Sequence, residues 1–331
     1  MSTKLTISLA TAPYDRTRAL FDGRVSIDGC DIVASALEPE EMFFRAYRYA
    51  DFDVTELSLS THMLTTARGD APYIGIPVFL SRSFRHNSIF IRTDRGINSP
   101  QDLKGKTIGL PEYQQTANVW VRGMLKDEYG VEASDIHWRG GGLEEPGRAE
   151  RTKIALPPSI DLQRIPADRT LSQMLAAGEL DAVMAPRVPS CFGKPGVKVA
   201  RLFPDFRAAE QAYFRKARMF PLMHIVGIRK QLHEEHPWLA ANLYKAFIKA
   251  KALAILEMQV ASRLSVTLPW LTAELQATKE LMGEDYWSYG VAANKLELEA
   301  LARYSVEQGL SSKLVTPQEL FAASTFETPR V

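Results

Sequence analysis

Residues 98–110, "NSPQDLKGKTIGL", constrain the fold more than any other stretch of this chain. Ser99 is placed to cap a helical turn, Pro100 fits the first position of that turn, and Gly105 fits the position just past its end. "TIGL" then reads as a strand. The following "PEYQQTANVWVRGMLKDEYGV" has helical spacing from about Gln114 to Tyr129 and a stop at Gly130. A strand entered from a capped turn and left into a long helix is the repeating unit of an α/β sheet. The same order runs upstream. "KLTISLA" (4–10) alternates as a strand, 16–22 suits a short helix, and "VSIDGCDIVASAL" reads as a hairpin or turn-linked strand pair. "PEEMFFRAYRYADF" has helical spacing and "DVTEL" is a short strand. "SLSTHMLTTARG" is a helix with Ser58 or Ser60 as cap and Gly69 as stop, and "YIGIPVFLS" is a buried strand.

At 331 residues the chain exceeds one ordinary core, so two domains are expected. "RHNSIFIRTD" (85–94) is echoed by "MHIVGIRKQ" (223–231): a His, an alternating apolar strand, an Arg, then a polar helix start. The echo suggests two strands at which the chain leaves one domain and later returns. Between them, "WRGGGLEEPGRAERTKIALPPSIDLQRIP" is loop- and hairpin-like, and "DRTLSQMLAAGELDAVMAP" reads helix–turn–strand with Asp168 as cap. Beyond residue 231 the pattern is largely helical. The expected architecture is α/β and two-lobed. Lobe I takes 1–95 with 220–331, including the C-terminal helices; lobe II takes 96–219, with a ligand cleft between the lobes.

Charge narrows the function. With 40 basic against 39 acidic residues, the chain lacks the basic surplus of a nucleic-acid binder. It contains no apolar run of about 18 residues that would span a membrane. The N-terminus lacks the apolar core of a signal peptide, so a cytoplasmic location is expected. Cys30 and Cys191 stand apart, with no CxxC, and read as reduced thiols. "HEEH" (233–236) has no third ligand nearby, and "GGG" (140–142) is not followed by Lys-Ser/Thr. No metal site and no P-loop are therefore expected. The helical C-terminal part has apolar positions enough for a homo-oligomer, with packing on its own lobe as the alternative.

Yet "SRSFRHNSIFIR" (81–92) gathers positive charge in a nearly neutral chain. Ligands in open α/β sheets sit beyond the carboxyl ends of strands. That rule selects Tyr14 after the first strand, Glu56 and Ser58 after "DVT", and Arg82, Phe84, Arg85 and His86 before "SIFIR". It also selects Tyr113, Gln115 and Thr116 after "TIGL", Arg187 after "AVMA", and His224 at the second echo. Arginines recognise carboxylates through a planar fork, and helix N-termini favour anions. Phe84 and Tyr113 supply flat faces. The set suits a small aromatic polyanion.

The segments "TAPYDRTRAL", "FFRAYRYADFDVTELSLSTHM", "IPVFLSRSFRHNSIFIR", "EYQQTANVWVRGMLKDEYGV" and "LMHIVGIRK" resemble the 4,5-dihydroxyphthalate decarboxylase family, and "SPQDLKGKTIGLPEY" is similar to type 2 periplasmic-binding-protein folds in general. The resemblance implies a cofactor-independent carboxy-lyase acting on a hydroxylated aromatic dicarboxylate. The alternative on the same scaffold is a solute-binding protein for a small aromatic or sulfonate anion. For a decarboxylase, His86 or His224 is expected to protonate the ring and Glu56 to receive a phenolic proton. Arg82, Arg85 and Arg187 would hold carboxylates, Gln115 and Thr116 would orient an anionic end, and Phe84, Tyr113 and Tyr14 would contact the substrate.

Overall fold

The computed structural model describes residues 4–260 and 262–327. Its strands are β1 (Leu5–Thr11), β2 (Cys30–Ala36), β3 (Val54–Ser58), β4 (Tyr73–Arg82), β5 (Ile89–Arg92), β6 (Thr107–Leu110), β7 (His137–Gly140), β8 (Leu162–Arg164), β9 (Ala182–Met184), β10 (Val199–Arg201) and β11 (Leu222–Arg229). They form two sheets in two compact units. One unit holds the chain up to Arg82, Leu222–Leu298 and the segment from Val315; the other holds Ser83–Pro221 and Glu299–Leu314. Among the described residues no helix is long and apolar enough to cross a membrane.

The first unit's sheet has the order β2-β1-β3-β11-β4. β1 is parallel to β2 and β3, while β11 is antiparallel to both β3 and β4. Helices Asp15–Phe21, Pro39–Tyr49 and Leu59–Arg68 make the connections. Every residue of β3 is buried, as a central strand covered on both faces requires. The antiparallel insertion of β11 has a positional consequence: its amino end lies beside the carboxyl ends of β3 and β4. His224 pairs with Ser58 on one side and Ser81 on the other, and the register of β11 against β4 breaks on both sides of it. Such irregularities re-aim a side chain. On the outer edge of β4, Ala322 N–H donates to the Gly75 carbonyl at 2.9 Å, covering part of an otherwise open strand.

The second unit's sheet has the order β10-β5-β9-β6-β7-β8. The turn that opened the sequence reading is a short 3-10 helix, Pro100–Leu103. Ser99 caps it, and Asp102 accepts from the Asn98 and Ser99 amides at 2.9 and 2.8 Å. The helix after β6 spans Thr116–Tyr129 and ends on Gly130 at φ 66°. Elsewhere local detail differs from the sequence reading. No strand lies within 25–29, so the expected strand pair there is one strand beside β1. β7 and β8 are parallel rather than a hairpin. Thr170, not Asp168, caps the helix Leu171–Ala177, through a reciprocal bond with Gln173.

The sequence reading places all of 220–331 in lobe I, but Glu299–Leu314 groups with the second unit. Gly123 is the reason: a Cβ there would lie 2.4 Å from the Tyr304 ring. Arg303 pairs with Asp127 at 2.6 Å, and the Gln308 amide donates to the Val119 carbonyl at 2.9 Å.

Arg82 ends β4 and turns into its own unit. Its guanidinium is 2% exposed and donates to Glu297 Oε1 and Asn294 Oδ1, both at 2.9 Å, and to Ser288 Oγ at 3.1 Å. This corrects the expectation that Arg82 grips a substrate carboxylate, because its fork is filled by the protein. Arg82→Ala would leave Glu297 buried without its cation, at a cost of about 3–5 kcal/mol. Urea unfolding should show that loss, whereas a substrate clamp would lose affinity with stability unchanged.

Candidate functional site

The carboxyl end of β3 carries Glu56, whose side chain is fully buried. A carboxylate so placed must be hydrogen-bonded. Its Oε2 accepts from the Ala12 amide at 2.9 Å, and its Oε1 from the Tyr14 hydroxyl at 2.8 Å and from His224 Nδ1 at 2.6 Å. Burial alone would raise its pKa. The His224 contact, the Ala12 amide and the Tyr14 hydroxyl outweigh that and hold it below the usual carboxylate range. The Tyr14 phenol moves the other way: burial, with the Glu56 charge and hydrogen bond, pushes it up, so it stays a protonated donor.

Three strand ends thus converge on one carboxylate. With Nδ1 bound to Glu56, Nε2 is the imidazole nitrogen left for proton transfer, on a side chain 18% exposed. Phe43 meets the ring edge-on at 4.8 Å and fixes its plane. The arrangement is a base held by an orienting anion, the geometry that general acid–base chemistry uses. Glu56 itself is enclosed. The sequence reading gave it the phenolic proton; in the structure three donors surround it.

Arg16 was missed in the sequence. Its guanidinium lies 4.0 Å from the Tyr14 ring centroid and 4.3 Å from that of Trp287. Both its Nε and Nη2 donate to the Leu80 carbonyl, and Nη1 donates to Asp15 at 3.0 Å. Trp287 is anchored in turn by Nε1–H on the Phe79 carbonyl at 2.9 Å. One signal was available: an arginine in the first turn of a helix opposes the macrodipole, so something else must hold it there.

In the second unit the other candidates divide. His86 is 1% exposed, edge-on to Phe203 at 5.1 Å and Tyr213 at 5.4 Å. Burial pushes its pKa down to about 4. Phe84 stacks on Phe220 at 4.7 Å and meets Phe214 and Tyr213 edge-on. Arg85 is half-buried near Glu210, whose carboxyl burial pushes up to about 7. Tyr113 is corrected as a ring contact for substrate. It is fully buried under the Arg122 guanidinium at 3.8 Å, with its hydroxyl on the Gln308 carbonyl at 3.2 Å.

The anion site expected around Gln115 and Thr116 is likewise altered. Glu150 accepts from the Tyr113 and Gln114 amides just ahead of that helix, so a protein carboxylate already sits there. Thr116 is buried, and Gln115 Oε1 accepts from Asn118 at 3.1 Å. Arg187, beyond β9, is exposed. Among the described residues no group of three His, Cys, Asp or Glu side chains is placed to hold a metal ion. Both cysteines are free and buried.

A family profile described as NMT1/THI5 like matches residues 54–142. Among solved structures, the periplasmic aliphatic sulphonate binding protein SsuA from Escherichia coli superposes with a TM-score of 0.51 at 12% identity, covering 98% of this chain and 99% of that one. That likeness concerns the fold, a periplasmic-binding-protein-like one. Two curated relatives are closer in sequence. The 4,5-dihydroxyphthalate decarboxylase of Comamonas testosteroni is 48% identical over 328 residues, 99% of each chain. The protein of the same name from Pseudomonas putida is 53% identical over 212 residues, covering 64% of this chain and 82% of that one. On identity of this extent over essentially its whole length, the chain belongs to the 4,5-dihydroxyphthalate decarboxylase family.

Proposed function

We propose that this protein decarboxylates 4,5-dihydroxyphthalate to protocatechuate and CO2, with His224 as the proton donor. The observation that carries the assignment of roles is the Glu56–His224 pair, 2.6 Å apart at the meeting of three strand ends. Loss of a carboxylate from an aromatic carbon leaves an electron pair on that carbon. The hydroxyl para to it pushes electron density there, which makes the carbon basic enough to take a proton. His224 Nε2–H delivers that proton to the ring carbon bearing the carboxylate. The carbon–carbon bond then breaks, its electrons restore the aromatic ring, and CO2 departs. The ring is the electron sink for this step.

Glu56 supports the step by stabilising the imidazolium before transfer and by fixing which nitrogen faces outward. Tyr14 holds Glu56, and the Arg16–Trp287 stack holds Tyr14. The direct assay is release of CO2 and formation of protocatechuate from 4,5-dihydroxyphthalate. Saturable thermal stabilisation without turnover would favour a binding protein instead.

His224→Asn should lower kcat by about 10²–10⁴-fold, the usual range for a general acid, while His86→Asn should leave kcat within a few-fold. Equal losses in both variants would remove His224 from the role. Tyr14→Phe deletes a hydrogen bond to a charged partner, and about 10–100-fold in kcat should follow at nearly constant KM. Arg16→Met should reproduce part of that loss in wild type and add little to Tyr14→Phe, as a double-mutant cycle would read. The contribution of Glu56 to stability is complete above its unfolded pKa of about 4.3. It disappears only as pH falls through its lower folded value, so the Glu56→Gln variant should show a shallower acid-unfolding profile in that window.

A further inference from the structure

Within the first unit a cavity of about 240 Å³ lies behind Arg16, outside the Glu56–His224 pair. Its walls include Ile255 and Met258 of the helix Leu239–Met258, Leu271 and Leu275 of the helix Leu271–Met282, and Trp287. Size sets the first limit on an occupant: dry apolar cavities of about 150 Å³ hold benzene, so this one suits a single ring with a small substituent. Charge sets the second limit. The cations at its polar end already have partners: Arg16 is on the Leu80 carbonyl and Asp15, and Lys251 is on Asp285 at 2.8 Å and the Trp287 carbonyl at 2.9 Å. The Asp15 and Glu274 carboxylates also line it, so an anionic ligand would meet like charge and cations that are already engaged. Thr278 gives the third limit. Its hydroxyl donates to the Glu274 carbonyl at 2.7 Å, which leaves the oxygen as an acceptor on the cavity wall.

From these three limits we infer that the cavity is a binding site for an uncharged single-ring phenol, separate from the site of decarboxylation. Its apolar body packs on Leu271, Leu275 and Trp287, and its hydroxyl donates to Thr278. Occupancy touches Trp287, whose ring lies on Arg16, and Arg16 lies on Tyr14. The site therefore shares a wall with the support of Tyr14 without including the proton donor.

The test uses the full chain and phenol itself at pH 7, with benzoate as the charged comparator. Calorimetry and tryptophan emission should show saturable phenol binding at millimolar concentration or tighter, the range that about seven non-hydrogen atoms allow. Benzoate should bind at least tenfold more weakly. The emission change should be largely lost in Trp287→Phe while calorimetric binding remains. Leu275→Trp and, independently, Ile255→Phe fill the cavity with half-buried side chains. Each should abolish phenol binding while leaving decarboxylation within a few-fold of wild type. Absence of saturable binding to the wild-type chain overturns the inference, as does benzoate binding as well as phenol. Phenol binding that survives both filling variants, or that saturating protocatechuate displaces competitively, overturns it too. None of these readouts depends on His224, so this site and the proposed reaction stand or fall separately.

Discussion

One buried carboxylate organises the first unit. Removing a carboxylate such as Glu56 from water costs several kcal/mol unless its lone pairs are filled, and the three donors come from two distant places: Ala12 and Tyr14 in the loop after β1, and His224 near the start of β11. The pair is therefore more than a contact between two side chains. It fixes where β1 ends, how its loop folds back, and which way His224 faces. The bonds from His224, Ala12 and Tyr14 each favour the charged carboxylate, and the depressed pKa follows from their acting together.

The protein treats its buried charges in two ways. Glu56 keeps one face of its partner available, because His224 is partly exposed. Arg82 is closed on all sides by Glu297, Asn294 and Ser288, and so acts as architecture. Histidines show the same division. His62, with Nε2 on the Leu320 carbonyl at 3.1 Å, and His86, boxed by aromatic rings, are both driven towards pKa about 4 by burial, whereas His224 sits beside an anion. Burial among apolar groups disfavours the charged form of a histidine.

Much of this was legible in the sequence, and the failures have physical causes. Capping and stop residues act locally, so Ser99, Gly69 and Gly130 announced their elements correctly. The rule that sites gather at the carboxyl ends of strands picked Tyr14, Glu56 and His224 from separate regions, and the fold brings those three together. Roles were harder than places. Whether an arginine at a strand end faces a ligand or an internal glutamate depends on a partner 215 residues away, as for Arg82, and nothing local encodes that. Tyr113 misled for a similar reason, since its cover, Arg122, sits two helical turns along and turns back over the ring. The grouping of 299–314 with the second unit rests on a missing side chain, Gly123, whose meaning appears only when Tyr304 lies against it.

The position of β11 also bears on how the chain is made. β11 occupies the slot between β3 and β4, and His224 follows Glu56 by 168 residues. At about 5–20 residues per second, roughly 10–30 s separate the emergence of those two residues from the ribosome. During that interval β3 and β4 have no strand between them, and the Glu56 carboxylate lacks its imidazole. A nascent chain of the first 200 residues thus carries an open sheet with two hydrogen-bonding edges, which is the kind of surface that chaperones shield. The arrangement that positions the proton donor also makes the first unit the last to be completed, although its first strand is the first to be synthesised.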